Sequence, residues 1–219
     1  SPEVKTATII AKDIEDAVNN AFNHPNVGPY IGKQLIQFLV TSNPSPQYVA
    51  RVSAAFNNNG QGVRGDMKAV LRAILLDAEA RGNPSTDPNY GKLREPVLLM
   101  TGLVRALNGN SDGVYLRGRA AAMGQLPYES PTVFNFYPPD YMAPSTDVLG
   151  PQFKIMQTGT ILSRTNFAHD LLLARAEVVV PSTTVSGATG TRTSSSIFNT
   201  LAANPVALVD RLSVLFCNN

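Results

Sequence analysis

The side chains able to do chemistry in this chain fall into three groups. The first is histidine. His24 lies in the turn His24-Pro25-Asn26. As a general base it needs a pKa near the working pH and a partner within hydrogen-bond reach. The competing reading is local: His24 and Asn26 close the turn, and Asn26 caps the helix that follows. His169 stands beside Asp170 in a helical stretch. Adjacent helical residues do not face each other, so it reads as a surface or satisfied histidine.

The second group is Lys33, Arg51, Arg72, Asp77, Arg94 and Glu95, charges set into otherwise apolar helical text. Such groups generally need partners. Arg72 with Asp77, or Arg94 with Glu95, would serve as halves of ion pairs that hold helices in register. Gathered in one cleft, the same residues would bind an anionic sugar or another carboxylate. A basic residue would then neutralise the acid while His24 or Tyr137 moves a proton. The third group is Asn135, Tyr137 and Tyr141, in the proline-bounded aromatic run from Ser130 to Pro144. Irregular loops on a rigid scaffold are common binding sites, and equally common covers for a core.

Several chemistries lack their residues. Two histidines without metal spacing, and Asp112, Asp140 and Asp147 at unrelated loop positions, do not make a zinc or calcium site. No metal or cofactor is expected. The glycines from Gly60 to Gly65 and from Gly109 to Gly113 match neither a phosphate loop nor a dinucleotide fingerprint. There is no G-x-S-x-G elbow. The single cysteine, Cys217, forms no internal disulfide and sits too near the chain end to read as a nucleophile.

The totals point the same way. With 18 basic and 16 acidic residues, the formal net charge of +2 gives a weak overall field. Strong phosphate-backbone binding needs a dense basic face, so nucleic acid is not an expected partner. No apolar stretch approaches the roughly 20 residues that span a bilayer. Tryptophan is absent, which argues against sugar stacking on indole rings.

The elements that must position these groups are helices. Ile10, Ile14, Ala17, Val18, Ala21 and Phe22 recur at helical spacing, and a second helix carries Ile31, Leu35, Phe38 and Leu39. Ser45-Pro46 reads as a cap and first helical residue before a stripe of Val49, Val52 and Phe56. Asp66 favours the start of a helix with Met67, Val70, Leu71, Ile74 and Leu75 on its core face. Leu93, Val97, Met100, Val104 and Leu107 mark a fifth. A short helix is expected within Gly113 to Gly124, a long one from Gln152 to Ala176, and a last one after Asn204-Pro205. Val178 to Val180 reads as extended, and Pro181 to Ser196 as a flexible Ser/Thr-rich loop. The expected fold is all-α: one helical domain over 1–219, a compact array with a long irregular aromatic loop and a Ser/Thr-rich insertion.

Several stretches together resemble the bacterial domain-of-unknown-function family 1800. They include His24 to Ile31, Lys33 to Ile36, Thr41 to Val52, Gly65-Asp66, Ala69 to Asp77 and Lys92 to Pro96. Ser130 to Tyr137 and Pro151-Gln152-Phe153 continue the match in order and spacing. The resemblance implies an exported protein of the periplasm, envelope or extracellular space, and a longer chain of which this is an internal or C-terminal part. It brings no catalytic residues to carry over.

Two functions from different classes follow as expectations. One is a non-catalytic structural or assembly module that binds a protein partner, or the preceding part of its own chain, through its loops. The other is a hydrolase or lyase acting on anionic extracellular polysaccharide, with the arginine-rich group and His24 or Tyr137 at its site.

Overall fold

The computed structural model describes residues 7–82, 87–173 and 184–216. Its architecture is all-α, with one two-stranded pairing between very short strands. The chain divides into two compact units, between Lys92 and Leu93.

The first unit holds α1 (Ala7–Phe22), α2 (Val27–Leu39), α3 (Pro46–Asn57), α4 (Met67–Leu75) and the single turn α5 (Ala78–Arg81). Local signals start these helices where the sequence places them. Ser45 Oγ accepts from the Tyr48 amide at 3.1 Å with Pro46 in the first turn, and Asp66 Oδ1 accepts from the Lys68 and Ala69 amides at 2.9 and 3.2 Å. Each cap satisfies amides that a helix start leaves without intrahelical partners. The core joins Ile36, Tyr48, Val52, Phe56, Val70 and Ile74. Full burial of an aliphatic or aromatic side chain contributes about 1.5–3 kcal/mol.

Helix α2 meets α3 through glycine. A Cβ on Gly28 would lie 2.8 Å from Ser53 Oγ, and one on Gly32 would lie 3.1 Å from Val52 Cγ1. The buried face of α2 therefore runs along Gly28, Gly32 and Ile36, while Leu39 is exposed. Helix α1 departs further from expectation, because Ile10, Ile14 and Val18 of its apolar stripe are exposed. It is tied at its C-terminal end, where Phe22 meets Phe56 at 5.9 Å between ring centres and Arg64 lies over both rings. Likewise only Val70 and Ile74 of the stripe expected on α4 are buried; Met67, Leu71 and Leu75 are exposed.

The second unit holds α6 (Pro96–Ala106), β1 (Asn110–Ser111), α7 (Val114–Ala122), α8 (Thr158–Leu173), β2 (Thr191–Arg192) and α9 (Pro205–Phe216). Its core gathers Met100, Leu103, Val104 and Leu107 with Ala120, Met123, Phe167 and Leu171. The long helix expected from Gln152 begins instead as a 3-10 turn, Pro151–Ile155, and α8 starts after a break at Gln157. The Gln157 amide donates to Thr160 Oγ1 at 2.8 Å, a side-chain cap that starts the new helix. Asn204 Oδ1 caps α9 through the Ala207 amide at 3.1 Å.

The aromatic run is an irregular loop, held by single bridges between Thr132 and Asn135 and between Met142 and Leu149. Of the stretch expected to be flexible, residues 184–196 are tied down. Asp112 accepts from the Thr189 and Gly190 amides at 2.6 and 2.7 Å, β2 pairs antiparallel with β1, and the Ser194 amide donates to Leu107 O. The extension of α8 to Ala176, the extended stretch Val178 to Val180, and Cys217 lie outside the described residues.

Candidate functional site

The residues singled out by type are divided between the two units. Lys33, Arg51, Arg72, Asp77 and His24 belong to the first unit; Arg94, Glu95, Asn135 and Tyr137 belong to the second. Each unit builds its own polar arrangement.

In the first unit the arrangement is an ion-pair network where α3 meets the ends of α4 and α5. Arg51 donates from Nε and Nη2 to the two oxygens of Asp77 at 2.6 and 2.7 Å, a bidentate pair. Arg72, the partner considered from sequence for Asp77, is exposed, as is Lys33. Asp77 also caps α5 through the Glu79 amide at 2.9 Å. Glu79 in turn accepts from the Ser45 amide and hydroxyl at 2.8 and 2.5 Å. The Tyr48 hydroxyl donates to Ile74 O at 2.6 Å, and burial with nearby carboxylates pushes that phenol well above its ordinary range. The Arg51 guanidinium holds the Asp77 carboxyl below the usual carboxylate range. Each of these groups has an answering partner, as a fastening requires.

His24 is exposed in its turn, where its Nδ1 accepts from the Asn26 amide at 3.2 Å. Asn26 occupies the cap position of α2 without a side-chain cap bond. The turn is clamped by Arg64, which the sequence reading passed over: it donates to Phe22 O, His24 O and Asn57 Oδ1. His169 is exposed, with Nδ1 3.9 Å from Asp170 Oδ1, while Asp170 pairs with Arg119 at 2.8 Å.

The second unit holds a more enclosed arrangement at the start of α6. Gln125, 4% exposed, bridges two groups there: its Oε1 accepts from the Val97 amide at 3.0 Å and its Nε2 donates to Glu95 Oε2 at 2.6 Å. Tyr137, buried at the foot of the aromatic loop, places its hydroxyl beside Glu95 and Gln152. Desolvation, then the Glu95 charge, push this phenol well above its usual range. Gln152, fully buried, comes from the 3-10 turn. Arg164 of α8 completes the group and donates from Nη1 to Arg94 O at 2.9 Å. Arg94 sends its own side chain along α6, with Nη1 3.7 Å from the position of a Cβ on Gly102.

Arg164 is 9% exposed, and its Nε and Nη2 are buried without a hydrogen-bond partner among the described residues. Burial pushes its pKa down, opposed by the charge of Glu95. An arginine stays charged at neutral pH nonetheless. The sequence reading missed Gln125, Gln152 and Arg164. The signal for Arg164 was present: with Phe167 and Leu171 it lies at i, i+3 and i+7, a charge on the buried stripe of its helix.

The aromatic loop has an outer surface of a different kind. Val133, and Tyr128 just before the loop, are fully exposed, and Phe134 and Met142 are half exposed. The loop is nonetheless pinned. Thr132 Oγ1 donates to Asn135 O at 3.0 Å and accepts from the Phe134 amide at 3.1 Å, and the Gly150 amide donates to Tyr141 O at 2.8 Å. Tyr128 and Asn135 adopt φ of +67°, an uncommon backbone region for residues with side chains. Asn135 itself is exposed.

Among the described residues no group of three or more His, Cys, Asp and Glu is placed to hold a metal ion. No described helix is long and apolar enough to cross a membrane. A family model with the description "Protein of unknown function (DUF1800)" matches residues 4–219. No curated protein and no solved structure matches the chain.

Proposed function

The chain belongs to the DUF1800 family, and on that premise we propose that it is a non-catalytic assembly module of an exported bacterial protein. It holds a protein partner at the cell envelope or outside the cell. The observation that carries this reading is the aromatic loop, which presents Val133, Phe134 and Met142 to solvent beside Tyr128 just before it, while Tyr137 of the loop is buried. Single exposed apolar residues need no explanation, but several on one pinned loop are the composition of a contact surface. The family resemblance supplies the support for export.

The polysaccharide hydrolase or lyase is the second reading, favoured by Glu95, Tyr137 and Arg164 converging in the second unit. A lyase base must give up its proton near neutral pH. Tyr137 has its pKa pushed the other way, so its phenol stays protonated and serves as a hydrogen-bond donor. That arrangement suits binding better than proton abstraction.

The test replaces Tyr128, Val133 and Phe134 together with serine and places a photo-crosslinking side chain at position 142 in both forms, in the native cells. We expect one defined protein adduct from the parent and none from the triple variant, at unchanged melting temperature. Equal adducts from both forms, or none from the parent, would refute the loop as the docking surface.

A further inference from the structure

The first unit carries two exposed apolar stripes on its helices. On α1, Ile10, Ile14 and Val18 stand four residues apart on one face, and on α4 Met67, Leu71 and Leu75 do the same. All six are between 39 and 61% exposed. The exposure of α1 goes further, because every residue from 9 to 22 is exposed. This helix is fastened at its C-terminal end, where Phe22 packs on Phe56 and its carbonyl accepts from Arg64. A helix of 16 residues is marginal alone in water and takes its stability from packing its apolar face. The stripe of α1 therefore calls for a cover.

The charges beside the stripes select that cover. At about 100° per residue, Asp13 and Glu15 border the α1 stripe on its two sides. Lys12 and Asp16 pair with each other at 3.1 Å on the back of the helix, so both borders of the stripe are acidic. On α4 the border is basic: Lys68 and Arg72, both exposed, run along the stripe on the side away from the buried Val70 and Ile74. Two α1 stripes face to face would set carboxylate against carboxylate, and a helix that lies on anionic lipid carries Lys and Arg at that border instead. A stripe with a basic border meets α1 in both respects, and α4 offers one. Both stripes are ridges of the i, i+4 kind, which interdigitate in the commonest class of helix packing. We propose that the first unit pairs with a second copy of this chain, α1 of each copy lying across α4 of the other, with Asp13 and Glu15 facing Lys68 and Arg72. The exchange is reciprocal, so it closes as a two-fold dimer and covers both stripes of both copies. This face lies in the first unit and does not depend on the aromatic loop of the second.

The test is sedimentation velocity on the whole chain, from micromolar to hundreds of micromolar, with two charge-reversed forms. One form carries Asp13→Lys and Glu15→Lys; the other carries Lys68→Glu and Arg72→Glu. The parent is expected to be dimeric at the upper end of the range. Each reversed form alone sets like charges across both contacts and should dimerise about tenfold or more weakly. Mixed in equal amounts, the two forms bring opposite charges together at both contacts and should recover the dimer. All four side chains are exposed, so melting followed by circular dichroism should stay at the parent temperature, which separates lost pairing from lost folding. Ile14→Asp with Val18→Asp, inside the stripe itself, should leave a monomer. A parent that stays monomeric, as it would if a different protein covers α1, overturns the proposal. So do reversed forms that pair as tightly as the parent, or a mixture that does not recover the dimer, since either would place the contact on another surface.

Discussion

The ion pairs around Asp77 in the first unit and the polar group around Glu95 in the second use nearly the same side chains, with opposite completeness. Arg51 is half exposed and meets both oxygens of Asp77, while Glu79 meets both donors of Ser45. Arg164 is enclosed and has two nitrogens unanswered. Where water can reach an arginine, an unpaired nitrogen costs little; where it cannot, the same nitrogen costs the full desolvation of the group. A network that closes on itself near the surface has a structural role. One that is buried with donors left unanswered carries a desolvation cost that the surface network does not.

The contrast predicts unequal responses to mutation. The largest effect is expected from Glu95→Ala. It leaves Arg164 as an uncompensated buried charge and strips a partner from Gln125, a loss of about 3–5 kcal/mol by analogy with broken buried pairs. Urea unfolding followed by circular dichroism reads it directly. A loss below about 1 kcal/mol would show the second group to be as solvent-relieved as the first.

The next effect is smaller. Arg164→Met removes the unanswered donors and keeps most of the side-chain volume. It gives up the bond to Arg94 O and the attraction to Glu95, which remains bonded by Gln125. The relief of two unanswered donors and the loss of these contacts oppose each other, so the expected change is within about 1 kcal/mol; in the Glu95→Ala background the same substitution is a clear gain, because the charge left alone is then removed. A double-mutant cycle measures this coupling. Additive changes would mean that the two residues do not sense each other across the group.

What could be read from the sequence divides along the same line between local and tertiary causes. Ser45-Pro46, Asp66 and Asn204-Pro205 start their helices as read, because a cap acts on amides two or three residues away. The apolar stripe of α1 was legible as periodicity, but periodicity does not say what covers it, and Ile14 and Val18 are exposed. Asp77 took Arg51, 26 residues away, because the meeting of α3 with α4 and α5 decides which charges touch. β1 and β2 are two residues each and 80 apart in sequence, too short to show a period and too distant to pair by a turn. In the candidate site Glu95 and Tyr137 were visible as chemistry-bearing types. Gln125 and Gln152 carry no charge to announce them, and Arg164 was legible only through its place on the buried stripe of Phe167 and Leu171.

The smallest effect separates charge from cap within the closed network. Asn caps helices about as well as Asp, so Asp77→Asn keeps the cap of α5 and removes the charge facing Arg51. Bonding to Arg51 holds the folded Asp77 carboxyl below its ordinary value. A depressed folded pKa contributes stability that is present above the unfolded value, about 3.9, and is lost as pH falls through the folded one. The gap between parent and Asp77→Asn should therefore be full at pH 7, where about 1 kcal/mol or less is expected for a pair with a half-exposed arginine. It should narrow steadily below about pH 5 as the parent takes up its proton. Urea midpoints of both forms between pH 7 and pH 3 test this. A gap that stays constant would place the value of Asp77 in its cap geometry, and the first unit's network would then be held by hydrogen bonds to the backbone rather than by charge.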